Sequence, residues 1–161
     1  MISPISVPIG TVPITFSLLI IMFAAIIIGP VKACVSSVLY LLIGVCGLPV
    51  FSFGSAGVGA LLNLTGGFLV SYPLVALISG ASLKFKNRLN QISFSFLMCL
   101  VSLSVCYFFG SLWYSFLSEN SFLFSLKTFL STFLLFDVLK CAVASIVGVE
   151  MKNVLKKCHL I

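Results

Sequence analysis

The sequence predicts an all-α, polytopic membrane protein, and two observations lead to that class. Apolar residues make up 61% of the 161 residues and charged residues only 7%, whereas soluble proteins average roughly 45–50% and about 25%. No charge precedes Lys32, and none occurs within 33–83 or 89–118. A soluble fold of this size leaves roughly a third of its unfolded-chain surface in water. It could not hide so many apolar side chains, so a soluble bundle is excluded.

Apolar runs bounded by glycine, proline or charge predict about five transmembrane spans. They cover 14–28, 31–48, 67–83, 92–116 and 132–151. Pro13 can open the first helix at its first turn, and Pro73 is expected to bend the third. Aromatic residues that suit an interfacial belt close the fourth span: Tyr107, Phe108, Phe109, Trp113 and Tyr114.

The remainder of the chain, from Ser121 to Val149, is too long for one simple span. Phe122, Leu126 and Phe129 recur at helical spacing, with serine, threonine and lysine between them. This pattern predicts a short amphipathic helix from Ser121 to Ser131 on the membrane surface. The last span then runs from Thr132 to Met151.

Most basic residues fall in three short clusters at span ends, which is the positive-inside distribution, and not on one face that could bind nucleic acid. If the tail after Met151 is cytoplasmic, alternation makes seven of the nine Lys and Arg residues cytoplasmic. Five spans also put Met1 outside, with no helix to carry it there. The parity therefore predicts that a first helix is missing or truncated.

The segment Gly47–Gly67 holds six of the twelve glycines and no charge. It is too glycine-rich for a good helix and too apolar for a solvated loop. Irregular backbone is not tolerated against lipid, so this loop must line a cavity or pack inside protein. We expect it to face outward and to line a pocket.

Asp137 and Lys140 are three residues apart inside the last predicted span, so they share a helix face and can pair. Each charge in a span costs roughly 2.5–3.5 kcal/mol on insertion scales. Either the two residues merely satisfy each other near the outer interface, or they form a ligand site with one acceptor and one donor. We favour the ligand site.

Other chemistry is poorly represented in the sequence. Five cysteines lie within spans, where cysteine acts as a small hydrophobe, and no CxxC or Cys/His spacing suggests a metal site. No GxxxxGK[ST] loop for ATP is present. We expect no metal, no cofactor and no enzymatic activity.

Several segments, in this order, resemble the BioY family of biotin-binding S components of energy-coupling factor (ECF) transporters. They are VPIGTVPITF, IGPVKA, YLLIGVCGLPVFSFGSAGVGALLNLTGGF and FDVLKCAVA. The resemblance extends from Val7 to Ala144. It implies a bundle of six transmembrane helices, of which the first would precede Ile5 and is absent here.

The resemblance also implies a site near the outer face, covered by the Gly47–Gly67 loop. Asp137 would accept from biotin's ureido N–H groups, and Lys140 would hold Asp137 or donate to the ureido carbonyl. The expected biotin-binding residues are Tyr40, Phe51, Gly54, Asn63, Thr65, Asp137 and Lys140.

The expected function is biotin uptake by one multi-pass domain, 1–161, in the plasma membrane, with the C-terminus cytoplasmic. Biotin is the substrate, ATP is used by separate ATPase subunits, and a transmembrane coupling subunit is the membrane partner. Two alternatives stay open. One is a non-transporting membrane interaction or assembly protein, and the other is an S component for a related vitamin.

Overall fold

The structure is a computed structural model that describes residues 6–9, 12–81 and 87–158. A short antiparallel hairpin precedes a bundle of helices. In chain order the elements are β1 (Ser6–Ile9), β2 (Val12–Thr15), α1 (Ser17–Ile28), α2 (Pro30–Val45), a 3₁₀ turn (Ser52–Gly54), α3 (Val58–Leu62), α4 (Gly66–Ser79), α5 (Arg88–Ser118) and α6 (Phe122–Lys157).

The surface of the bundle is more apolar than that of a protein folded in water. Large apolar side chains are exposed along the helices, among them Phe116 at 83% and Leu135 at 73%. The interior contains serines such as Ser79 and Ser102, whose hydroxyls donate to carbonyls one turn back in the same helix. This distribution suits an apolar surrounding medium, because the exposed surface then needs no water.

Helix lengths support the membrane class but not a count of spans. Two helices, α5 and α6, are long and apolar enough to cross a membrane. The apolar helices α1, α2 and α4 have 12, 16 and 14 residues, so at 1.5 Å per residue they cover only about 18–24 Å. The predicted helical class is confirmed for the bundle, whereas the five spans and the six-helix family plan stay predictions.

The prediction for the start of the bundle was wrong. Pro13 does not open a helix but lies in β2, whose register pairs it with Pro8 of β1. Both strands of a two-stranded hairpin are edges, where proline is tolerated, and the β-branched residues around these prolines favour extended backbone. Helix α1 begins only at Ser17.

The prediction of a separate surface helix from Ser121 to Ser131 was also wrong, because this segment is the beginning of α6. This helix is continuous over 36 residues, with the Ser121 hydroxyl accepting from Phe124 N at its N-cap. The hydroxyls that suggested a surface helix satisfy themselves locally, as Thr128 and Thr132 donate to carbonyls one turn back. A serine or threonine that is bonded in this way does not need water.

Helix α4 packs against both α2 and α5, while α6 packs against α1 and α5. Two glycines allow the close approach of α4 and α5. A Cβ on Gly67 would meet Trp113 and would lie 2.6 Å from the carbonyl oxygen of Phe109, and one on Gly110 would meet the Phe68 ring. Small residues at such positions are typical of helices packed in membranes.

The bundle has two ends that differ in charge. At the first, which we call the basic end, Arg88 pairs with Glu150, and Gly148 packs on Ile26 near the corner between α1 and α2. The opposite end, which we call the loop end, contains residues 47–67. Lys84 and Lys86 of the predicted cytoplasmic cluster lie outside the described residues.

Candidate ligand-binding site

The centre of the candidate site is the carboxylate of Asp137 on α6. Asp137 is 7% exposed, and no other charged residue in the described part of the chain is as deeply buried. Lys140 donates from Nζ to Oδ1 at 2.7 Å, and Tyr107 donates from its hydroxyl to Oδ2 at 2.7 Å. In the part of the chain that the structure describes, each carboxylate oxygen therefore has one side-chain donor, and we refer to these three residues as the Asp137 triad.

The fold explains how the triad forms. Lys140 lies one helical turn after Asp137, where an i, i+3 pair can meet. Tyr107 comes from α5, which runs antiparallel to α6 after a turn at Glu119, whose φ is 56°. Edge-on ring contacts between Tyr114 and Phe129 and between Phe108 and Phe122 hold the two helices together on the loop side of the triad.

The triad is chemically suited to a neutral polar group. The Asp137 and Lys140 charges cancel, so a charged ligand group would enter without a counter-ion from the pair. An ionised carboxylate has about four lone-pair sites and an ammonium three donors. The two donors on Asp137 among the described residues therefore do not exhaust the capacity of its carboxylate.

Tyr107 was missed as a residue of the candidate site and was wrongly assigned to the interfacial belt. It is 5% exposed, whereas Phe108 is 50% exposed as a belt residue should be. The sequence carried one signal. A tyrosine hydroxyl usually needs a partner when it is buried, and Asp137 is the acidic residue of the next predicted span, 132–151.

Tyr40 and Phe51 contact each other, and Phe51 points into the bundle. Phe51 is 1% exposed, and its ring covers Gly44, where a Cβ would clash with it. Tyr40 meets this ring edge-on, with centroids 5.7 Å apart, and its hydroxyl donates to the carbonyl of Val50 at 2.8 Å. These contacts anchor the first half of the loop on α2.

The loop is more ordered than its glycine content predicts. It contains the 3₁₀ turn, in which Gly54 has a φ of 71°, and the short helix α3. A left-handed residue such as Gly54 is favourable only as glycine. Gly57, at a φ of 80°, donates from its backbone N–H to the Gly44 carbonyl at 2.8 Å and fixes the middle of the loop.

Asn63 and Thr65 lie where the loop enters α4, and their contacts are local. The Asn63 side-chain oxygen accepts from Leu64 N at 2.7 Å, and its backbone carbonyl accepts from Trp113 Nε1 at 3.1 Å. Thr65 is the N-cap of α4 without a side-chain cap bond. Within the described residues neither contacts the Asp137 triad through a hydrogen bond, so their predicted role stays a prediction.

Ser111 lies one turn beyond Tyr107 on α5. Its hydroxyl is buried, and within residues 6–9, 12–81 and 87–158 it has no hydrogen-bond partner. An unpaired buried hydroxyl costs about 1–3 kcal/mol. It is therefore an unmet donor and acceptor close to the triad along the same helix.

Comparisons with known proteins agree with this architecture. Over 92% of this chain and 81% of its own length, biotin transporter BioY2 of Lactococcus lactis is 29% identical. The probable biotin transporter BioY of Pyrococcus horikoshii is also 29% identical, over 92% of this chain and 86% of its own length.

A solved structure and a family model extend the comparison. The crystal structure of the S-component for biotin from an ECF-type ABC transporter has a TM-score of 0.80 and 26% identity to this chain. The match covers 92% of this chain and 80% of the solved one. The model of the BioY family matches residues 1–157. The chain belongs to the BioY family.

Proposed function

We propose that this protein is the substrate-binding S component of a biotin uptake system and not an enzyme. It captures biotin at the outer face of the membrane and delivers it inward. The observation that carries the proposal is the family match over residues 1–157, together with the likeness to a solved S-component for biotin. Curated relatives that are named biotin transporters support the same function.

The Asp137–Lys140 pair suits the head group of biotin. In a cyclic urea, an N–H donor and the carbonyl acceptor lie next to each other on one edge of the ring. Asp137 Oδ1 and Lys140 Nζ are an adjacent acceptor and donor 2.7 Å apart. One ureido edge can therefore donate to the carboxylate and accept from the ammonium, and no net charge is buried.

The loop would supply the remaining contacts of the site. Phe51 and Tyr40 offer aromatic surface for the apolar bicycle and valeryl chain of biotin. Gly54 lets backbone approach the ligand closely, while Asn63 and Thr65 offer polar atoms at the loop end. For Phe51 and Asn63, this role requires the loop contacts described above to rearrange when the ligand enters.

The proposal includes the membrane setting and the partners. The protein acts as a single multi-pass domain, 1–161, in the plasma membrane with its C-terminus cytoplasmic. An ECF transmembrane coupling subunit docks on it, and separate ATPase subunits hydrolyse ATP. The grouping of Lys32, Arg88 and the C-terminal lysines toward one end supports this orientation.

Binding of radiolabelled biotin to the purified protein in detergent or nanodiscs tests the proposal. We expect saturable binding that unlabelled biotin displaces. Asp137→Asn and Lys140→Met should each weaken it at least about tenfold, because each removes one charge-assisted bond.

Matched controls are Glu119→Gln and Lys127→Met, which make the same chemical changes at exposed positions outside the triad. Both should bind like the wild-type protein. Absence of saturable biotin binding by the wild-type protein would refute the function, and would favour the assembly or related-vitamin alternatives. Binding that is insensitive to Asp137→Asn and Lys140→Met would refute the site.

A further inference from the structure

The bond between Tyr107 and Asp137 connects two helices at the centre of the candidate site. Tyr107 lies on α5 and Asp137 on α6, and the bond between them is 2.7 Å long. Both residues are less than a tenth exposed. Hydrogen bonds to an ionised acceptor are shorter and stronger than neutral ones, and burial removes the competition from water.

A lysine partner alone would not fix the carboxylate. Torsion about the Cβ–Cγ bond of aspartate is broad and roughly two-fold. With Lys140 as the sole donor, the carboxylate can turn about this bond and pair through either oxygen or both. The lone pairs available to a ligand would then change direction with each turn.

Tyr107 removes this freedom because it occupies the second oxygen from a different helix. Oδ1 is held by Lys140 and Oδ2 by Tyr107, so the carboxylate plane is defined by two fixed points. Within the described residues, one lone-pair direction then stays open on each oxygen.

The position of Tyr107 is itself fixed by the α5–α6 hairpin. Arg88 and Glu150 pair on the basic side of the triad, and the ring contact between Tyr114 and Phe129 lies on the other side. The helices are thus braced on both sides of the Tyr107–Asp137 bond. The Tyr107 hydroxyl is therefore held at the level of Asp137 along α6.

We infer that Tyr107 is a positioning residue of the binding site, which holds the Asp137 carboxylate so that an open lone pair accepts a ureido N–H. This inference rests on the proposed function. It assigns to Tyr107 a role in ligand affinity that acts through Asp137. The organised carboxylate makes the site selective for a neutral cyclic urea, since the geometry is set before the ligand arrives.

The test is a double-mutant cycle on biotin affinity with Tyr107→Phe and Asp137→Asn. Tyr107→Phe keeps the buried ring and removes only the hydroxyl, and it should weaken biotin binding roughly tenfold to hundredfold. In the Asp137→Asn background the same change should weaken binding less than about twofold, because no carboxylate is left to hold. Tyr114→Phe is the matched control on the same helix and should bind like the wild-type protein.

A second measurement does not need a ligand. Infrared spectra of the wild-type protein minus Asp137→Asn identify the carboxylate stretch of Asp137. Tyr107→Phe should shift this band, since one oxygen loses its donor, and Tyr114→Phe should leave it unchanged. This readout applies even where Asp137→Asn binds too weakly to complete the cycle.

The outcomes separate this inference from the proposed function. If the wild-type protein binds no biotin, the function fails and the positioning role fails with it. If the wild-type protein binds and Tyr107→Phe binds equally well, only the inference is overturned. It is also overturned if the effects of Tyr107→Phe and Asp137→Asn are additive, or if the carboxylate band does not move, since the Tyr107 hydroxyl would then act independently of the Asp137 carboxylate.

Discussion

At the scale of single residues, the burial of Asp137 explains why its carboxylate needs hydrogen-bond donors. A charge in a membrane span costs roughly 2.5–3.5 kcal/mol on insertion scales, and a buried carboxylate without donors would cost more. Lys140 and Tyr107 offset this cost from two different helices. Removing one partner leaves a buried charge with a missing hydrogen bond. Substitution of any member of the triad should therefore lower the stability of the protein.

Ser111 offers a stability test at the same scale. Ser111→Ala removes a buried hydroxyl that has no partner in the described part of the chain, and alanine also has the higher helix propensity. We expect it to stabilise the protein by about 1 kcal/mol, measured as a rise in melting temperature in detergent.

Ser102→Ala is the matched control, because Ser102 is equally buried and lies on the same helix, but donates to the Cys99 carbonyl at 2.8 Å. Its melting temperature should stay level or fall. Equal losses for both variants would mean that the Ser111 hydroxyl does make a bond.

At the scale of helices, the bundle depends on glycines where α4 and α5 approach each other. Gly67 lies against the Phe109 carbonyl oxygen and the Trp113 Cβ of α5, and Gly110 lies under the Phe68 ring. Without a hydrophobic driving force between helices in lipid, close van der Waals packing of this kind is a principal source of association. The same approach brings Trp113 within hydrogen-bond distance of the loop carbonyl at Asn63.

Gly67→Ala should destabilise the bundle. The new Cβ would meet Trp113 and would lie 2.6 Å from the carbonyl oxygen of Phe109, and overpacking of a well-packed site costs about 1–3 kcal/mol. A fall in melting temperature in detergent would report this cost.

Gly59→Ala is the matched control. Gly59 lies in α3 with open space around its Cβ position, so the variant should be neutral or slightly more stable. If Gly67→Ala were as stable as Gly59→Ala, the close approach of α4 and α5 would not be a determinant of stability.

At the scale of the whole molecule, charge is distributed unequally between the two ends. Arg88 and Glu150 pair at the basic end, where the C-terminal Lys156 and Lys157 also lie in the last turn of α6. The loop end contains Glu119 and Lys127, next to the turn between α5 and α6. The positive-inside rule therefore predicts that the basic end lies in the cytoplasm.

Thiol labelling tests this orientation, since Cys46 and Cys158 are exposed at opposite ends of the bundle. In single-cysteine variants in intact cells, a membrane-impermeant maleimide should label Cys46 and should not label Cys158. In inside-out vesicles the result should reverse. The buried Cys99 is the control and should react only after denaturation; labelling of Cys158 in intact cells would reverse the proposed topology.

Sequence alone determined the features that depend on composition and short-range spacing. The membrane class follows from uncharged runs, because a bilayer selects helices by apolar length. The Asp137–Lys140 pair follows from a spacing of three, which a helix converts into contact wherever that helix lies. The corner at Gly29 and Pro30 follows from two residues that break helices.

Only the tertiary structure decided the features that depend on neighbours far apart in the chain. It selected Tyr107 from an aromatic cluster that looked uniform, because only its hydroxyl lies level with Asp137 across the α5–α6 hairpin. It turned Phe51 inward onto Gly44. It also joined the predicted surface helix to α6, since Ser125 and Phe129 on one face of that segment are buried. Periodicity indicates which face of a helix is polar. It does not identify the residue of a neighbouring helix that contacts this face, because that residue is distant in the chain.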